Sequence, residues 1–169
     1  MVTFNLSYSA PINRPGQSPV LTVPQVWAGL QRKVRNASEF VPLIVSCEVE
    51  SDETSASGEV TVNRVVKFKP GKGPKADGAP VREQCNEYPP CRVDFLQENG
   101  SKITNCVSQG ASGEEADLVM TYIFEWRHPG VEEGSDKARE LLEGHRETAK
   151  MAVESSIETI RRLVKEGKI

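Results

Sequence analysis

Hydrophobic and polar positions alternate strictly at the start of the chain: Val2, Phe4, Leu6 and Tyr8 against Thr3, Asn5, Ser7 and Ser9. Period two predicts a strand, Val2–Ala10, with one buried face. Ile12–Val20, punctuated by Pro15, Gly16 and Pro19 after Pro11, is a connector in which no regular element can persist. The period then changes. Thr22-Val23-Pro24-Gln25 is a capping box, with a threonine oxygen for the free amides, a proline tolerated in the first turn and a glutamine to reach back. Val23, Val26, Trp27, Leu30 and Val34 then recur at helical spacing, and Asn36–Pro42 predicts a kink or second short turn that ends the helix.

From Leu43 to Arg127 the punctuation is that of strands and turns. Ile44–Glu50 and Glu59–Lys69 read as strands joined by a Ser/Asp/Gly-rich hairpin loop, Ser51–Gly58. Pro70–Pro80 is a loop, and Val81–Glu87 and Cys91–Gln97 flank a Tyr88-Pro89-Pro90 turn. Asn99-Gly100 favours a tight hairpin into Ile103–Ser108, and Ala116–Arg127, after the loop Gly110–Glu115, is the longest strand. With the first strand this makes seven, joined by connections short enough for antiparallel neighbours. A last helix starts at Ser135 and ends near Lys165 and Gly167. Its apolar stripe is Ala138, Leu141, Leu142, His145, Ala149, Ala152, Val153, Ser156, Ile160, Leu163 and Val164, and at 1.5 Å per residue it is roughly 45 Å long.

Strand, short helix, six strands and one long helix cannot wind as alternating β and α units. The order predicts an α+β fold: a seven-stranded curved antiparallel sheet around a long C-terminal helix, with short N-terminal helical segments. A sheet cannot close flat against a cylinder, and the wedge left between them is where apolar pockets form. The order resembles the helix-grip fold shared by START lipid-transfer domains, the birch-pollen-allergen family and the aromatic polyketide cyclases. More narrowly, Ile12-Asn13, Leu21–Leu30, Arg64, Tyr88-Pro89-Pro90 and Phe124-Glu125-Trp126-Arg127-His128-Pro129 resemble the AtaL-like branch of that superfamily. The resemblance covers essentially the whole chain. It implies the fold and a cavity but no particular reaction. The plant allergens carry a glycine-rich loop between their second and third strands, whereas Ser51–Gly58 holds one glycine, so no phosphate-loop role carries over.

Composition narrows the function. A chain of 169 residues suffices for one domain, 1–169, and is short for two. Lys and Arg number 21 against 24 Asp and Glu, a net charge of -3, so no basic footprint for nucleic acid exists. No apolar run approaches the roughly 20 residues that span a bilayer, and Met1–Ala10 lacks a signal-peptide core, so a cytoplasmic location is expected. Free thiols are the expectation for Cys47, Cys85, Cys91 and Cys106 in that compartment, although Cys85 and Cys91 could face each other across the Pro-Pro turn. No Cys-x-x-Cys pair exists and His128 and His145 lie outside ligand spacing, so no metal or other cofactor is expected. Asn5-Leu6-Ser7 and Asn36-Ala37-Ser38 match the glycosylation pattern by accident if the chain is not exported.

Candidate chemistry then rests on polar residues at apolar positions. His145 stands in the stripe of the last helix, four residues after Leu141 and four before Ala149, either as a proton donor or acceptor or as a core histidine paired to a carbonyl. Arg64 interrupts the strand face Val60, Val62, Val66, Phe68, and a guanidinium there needs an anion: Glu83, Glu87 or a ligand carboxylate or enolate. Trp126, Tyr122, Phe124 and Met120 share one face of the last strand, as plain core or as cavity lining. Pro70–Lys75 fails the P-loop spacing and reads as a mobile loop able to act as a lid.

The leading expectation is binding of a hydrophobic or aromatic small molecule, a secondary metabolite or its precursor, in a cavity of roughly 300–1,000 Å³. Its predicted contacts are Trp126, Tyr122, Phe124, Met120, Arg64, His145, Leu141 and Ala149. The alternative is a cyclase or isomerase in which His145 acts as acid and base and Arg64 steadies an oxyanion. A protein-partner domain would need an exposed apolar patch, which the Glu-, Lys- and Arg-rich helix exteriors do not suggest.

Overall fold

In the computed structural model, which describes residues 1–75 and 77–169, the opening alternation becomes strand β1 (Val2–Pro11). Helix α1 (Val23–Arg35) begins with the predicted capping box: Thr22 Oγ1 accepts from the Gln25 amide at 3.4 Å, and Gln25 Oε1 accepts from the Thr22 amide at 3.0 Å. The turn after it is a single 3-10 segment, Ala37–Glu39. Strands β2 (Ile44–Thr54), β3 (Val60–Phe68), β4 (Val81–Tyr88), β5 (Arg92–Gln97), β6 (Lys102–Gln109) and β7 (Leu118–His128) follow, and then α2 (Asp136–Lys165). Seven strands and a long terminal helix are the helix-grip arrangement expected from the order of elements.

The sheet is antiparallel throughout, in the order β1-β7-β6-β5-β4-β3-β2. Consecutive strands from β2 to β7 are neighbours, but β1 and β2 lie at opposite edges. The segment carrying α1 therefore crosses from one edge to the other, and α2 packs on β1, β7 and α1. At the helix crossing Gly29 is buried, and a Cβ there would lie 2.4 Å from Ile160 Cγ1. Only glycine lets the backbone of α1 come so near α2.

Two boundaries differ from the sequence reading by more than one residue. β2 continues to Thr54, beyond Glu50, because register shifts at Ile44/Ser46 and Val49/Ser51 let its Ser/Asp-rich end keep pairing with β3. β7 begins at Leu118 and not Ala116, because Asp117 Oδ2 accepts from the Ser112 amide and hydroxyl and so closes the preceding loop. In α2, Leu141, Leu142, His145 and Val164 are only partly buried, while Ile157, absent from the predicted stripe, is buried. All four cysteines are free. Cys85 points into the core and Cys91 lies exposed in the turn, so they do not face each other.

Register sets the inner face as three rows. Across β3 to β7 and onto β1 the middle row runs Val62, Cys85, Phe95, Ile103, Phe124, Leu6. One flanking row carries Glu87, Val93, Asn105, Tyr122 and Tyr8. The other begins Arg64, Glu83, Gln97 and, toward β1, holds the paired Trp126 and Phe4. An apolar stripe is thus bordered on both sides by polar groups.

Candidate functional site

Between this face and the two helices lies a cavity of about 130 Å³. It is smaller than the expected range because long side chains reach into it. Lys33 enters from α1, Tyr122, Phe124 and Trp126 from β7, and His145 from α2, while Lys72, Gly73 and Pro74 of the loop after β3 lie along its rim. That loop is seated closely: a Cβ on Gly73 would meet the Phe68 side chain at 2.5 Å. Lys75 of the same loop pairs with Glu98 at 2.5 Å, an exposed contact tying it to the β5–β6 turn.

Arg64, 3% exposed, finds its anion in Glu83 across the β3–β4 ladder. Its Nε and Nη2 donate to Glu83 Oε2 at 2.9 and 2.6 Å, and Nη1 donates to the carbonyls of Lys33 and Val34 at 2.9 and 2.7 Å. Those carbonyls belong to the last turn of α1, where helical acceptors lack intrahelical donors. One guanidinium thus closes a buried ion pair and caps a helix. Gln97 Nε2 donates to the other Glu83 oxygen at 2.9 Å. Glu87, the other candidate partner, accepts instead from Arg35 at 2.7 Å and Gln31 at 2.9 Å.

His145 is part of an aromatic stack. Its ring lies 4.1 Å from Trp126 at 16°, and Trp126 lies 4.3 Å from Phe124 at 19°. His145 Nε2 and His128 Nε2 are 2.7 Å apart, so one ring donates and the other accepts. Burial, reinforced by any charge on His128, pulls the His145 pKa down to about 4, and burial lowers that of His128. The pair is therefore uncharged at neutral pH and shares one hydrogen bond.

Three side chains lining the cavity carry buried polar atoms without a partner in the protein. Asn105 is fully buried with neither amide atom hydrogen-bonded, and the Tyr122 hydroxyl lies beside Asn105 and Ser156 without meeting either in hydrogen-bonding geometry. Gln97 Oε1 is also unpartnered. Such atoms are uncommon in a core, since each costs about 1–3 kcal/mol. Lys33, 6% exposed, extends its amine over the Tyr122 ring at 4.0 Å and the Phe95 ring at 5.6 Å. Burial, and then the nearby Arg64 charge, push its pKa well below the ordinary lysine range.

Of the residues singled out from the sequence, Arg64, Tyr122, Phe124, Trp126 and His145 line the cavity. Met120, Leu141 and Ala149 do not. Met120 is fully buried core below Tyr122, Ala149 is buried beside the cavity-lining Ala152 without reaching the space, and Leu141 lies a turn beyond His145, only partly covered. Lys33, Asn105, Gln97 and the proximity of His128 to His145 were missed. A signal existed for two of them. Lys33 falls three residues after Leu30 and seven after Val26 on the apolar stripe of α1, and Asn105 stands between Ile103 and Val107 on one strand face. Both are polar groups at apolar positions, the feature that exposed Arg64. Among the described residues no group of three or more His, Cys, Asp or Glu side chains is placed to hold a metal ion. Nor, among the described residues, is any helix long and apolar enough to cross a membrane.

Comparison with known proteins places this geometry. Residues 6–167 match the family described as acetylaranotin biosynthesis cluster protein L, AtaL. The protein of that name from Aspergillus terreus (strain NIH 2624 / FGSC A1156) is 30% identical over 165 residues, which is 98% of this chain and 92% of the relative. Among solved structures, the Zhui aromatase/cyclase from Streptomyces sp. R1128 aligns with a TM-score of 0.61 at 15% identity, over 96% of both chains. The di-domain ARO/CYC BexL from the BE-7585A biosynthetic pathway aligns with a TM-score of 0.59 at 12% identity, over 95% of this chain. This chain spans about half of BexL, 49% of its length. At those identities the structural likeness speaks for the fold alone, while the sequence match over nearly the full length settles kinship: the chain has the helix-grip fold and belongs to the AtaL family.

Proposed function

We propose that the protein binds an aromatic or otherwise apolar small molecule carrying oxygen groups, a secondary metabolite or its precursor, in the cavity between the sheet and the two helices. The observation that carries this reading is the unpartnered Asn105 amide and Tyr122 hydroxyl beside the aromatic wall of Phe95, Phe124 and Trp126. Buried polar atoms without partners suit a ligand that brings its own oxygens. The relatives agree in kind, one named for a biosynthesis cluster and two structures titled aromatase/cyclases. A volume of about 130 Å³ is of the order that accepts a single aromatic ring, for which ~150 Å³ suffices. A larger ligand requires His145 to leave its stack on Trp126, or the loop at Gly73 to lift from Phe68. In this reading Trp126, Phe124, Tyr122 and His145 contact the ligand. Met120, Leu141 and Ala149 support those contacts from behind.

The second reading is a cyclase or isomerase. The His128–His145 hydrogen bond favours it, since a neutral pair at the cavity can pass a proton to or from a ligand. The committed hydrogen bonds of Arg64 to Glu83 and α1 speak against an oxyanion role for that residue. Native mass spectrometry of freshly purified protein tests the binding reading. A co-purified small molecule, or saturable uptake from a panel of aromatic ketones and phenols, is the expected result; no uptake by the intact protein overturns it. Turnover of a bound ketone that is lost in His145→Ala would favour the second reading.

A further inference from the structure

We propose that Lys33, Asn105 and Tyr122 form a subsite for an acidic enol or phenol, in which the Lys33 amine takes the hydroxyl proton and the other two side chains hold the oxyanion. The inference rests on the cavity-binding reading and specifies the chemistry of its ligand.

The three groups converge from separate elements. Asn105 on β6 and Tyr122 on β7 are direct cross-strand partners, and on one face such pairs stand about 5 Å apart at Cβ. Lys33 descends from α1, with Nζ 4.0 Å from the centre of the Tyr122 ring. All three are more than nine-tenths buried and line the same cavity. The Asn105 amide nitrogen and Tyr122 hydroxyl are donors without acceptors. Among the described residues Lys33 has no ion pair: the nearby carboxylate, Glu83, is taken by Arg64 and Gln97.

This set selects among oxygen ligands. A ketone would satisfy the donors and leave the amine with nothing to accept. A carboxylate would have to leave water with its charge already formed and meet an uncharged amine, at a cost of several kcal/mol. An enol or phenol enters neutral. Its O–H bond breaks inside, the electron pair stays on oxygen and an N–H bond forms on Nζ, and release reverses the transfer. The ammonium so created then has an adjacent anion, as a buried charge requires. The charged and titratable groups facing Lys33 are Arg64 on β3, Glu83 and Cys85 on β4, and Tyr122 on β7. Arg64 and Glu83 offset one another, and burial pushes the Cys85 thiol up to about 12, so it is neutral. Free and occupied states are then each balanced in charge.

The probe is 4-nitrophenol, one ring wide and yellow only as the phenolate. Calorimetry measures its binding to the intact protein while absorbance reads its ionisation, at a pH below the probe's own pKa where the free form is mostly colourless. The expected result is saturable binding with the phenolate-to-phenol ratio raised at least tenfold, equivalent to one pKa unit. Lys33→Met, which keeps the buried chain length and removes the base, binds the probe as the colourless phenol. Asn105→Ala and Tyr122→Phe each lower the phenolate fraction. A pH titration of the bound probe on unmodified protein gives the same quantity without any variant, as a fall in the probe's apparent pKa. Bound but colourless probe, or equal colour in Lys33→Met, overturns the subsite and leaves the cavity reading standing. No binding by calorimetry overturns both.

Discussion

Arg64 and Lys33 are two buried basic side chains on neighbouring elements, and their surroundings treat them differently. Arg64 is enclosed by Glu83 and two helix carbonyls, so its removal strands a carboxylate. Arg64→Ala is expected to lower stability by about 3–5 kcal/mol in urea unfolding, whereas pairing Arg64→Met with Glu83→Leu restores most of the loss. Rescue by the double variant is the decisive outcome; a double variant as unstable as the single one would show that helix capping, not the ion pair, dominates. His145 provides a pH signature. Its pKa is about 4 in the fold against an ordinary 6.5, so between those values the unfolded chain binds more protons and stability falls as pH falls. The loss begins near pH 6.5 and is complete near pH 4. Because the ring is only partly buried, the contribution is on the order of 2 kcal/mol and less than the full shift implies. Unfolding at pH 7 and pH 5 is expected to differ more for the unmodified protein than for His145→Gln; equal differences would place the ring in water.

At the scale of elements, the position of α1 decides what enters the cavity. Capping, the apolar stripe and the Arg64 contact hold its end, and Gly29 holds its middle against Ile160 of α2. Gly29→Ala would ordinarily help a helix by up to ~1 kcal/mol, but here the new methyl overlaps a fully buried, β-branched side chain. A net loss of about 1–3 kcal/mol is expected by thermal unfolding. A stabilised variant would mean that the helices separate without cost. The loop after β3 is a different kind of element, seated on Phe68 through Gly73 and tied by the exposed Lys75–Glu98 pair, a contact of about 0–1 kcal/mol. Gly73→Ala is therefore expected to speed ligand uptake in stopped-flow measurements by lifting the loop, with little change in stability. An unchanged uptake rate would locate the entrance elsewhere.

For the whole molecule, the stack Phe124–Trp126–His145 joins the sheet to α2 across the cavity. A ligand larger than one ring that does not lift the Gly73 loop must part it, and Trp126 fluorescence should report the event. In a Trp27→Phe background, which removes the partly buried indole of α1, saturating a ligand shown independently to bind is expected to shift the Trp126 emission. An unaltered spectrum would mean that the ligand lies wholly at the Lys33 end. The single chain thus encloses two chemically distinct ends, an aromatic one closed by a histidine pair and a polar one floored by Asn105 and Tyr122.

The fold was legible because its signals are local. Period-two alternation in β1, the Thr22 capping box, the Asn99-Gly100 hairpin and the long stripe after Ser135 each depend on residues within a few positions of one another. Arg64 and His145 were legible for the same reason, as polar interruptions of an apolar face. What those residues touch was not. The choice of Glu83 over Glu87 follows from strand register, and the His128–His145 contact joins the end of β7 to the third turn of α2. That Leu141 and Ala149 fall outside the cavity depends on how α2 lies against the sheet, and that Met120 does depends on which rows of the sheet the cavity covers. Lys33 and Asn105 also stand at apolar positions, but nothing local shows that they face one cavity until α1 is laid across the sheet. Local patterns encode which face is buried. Only packing among elements distant in the chain encodes which buried polar groups meet a partner and which are left facing a cavity.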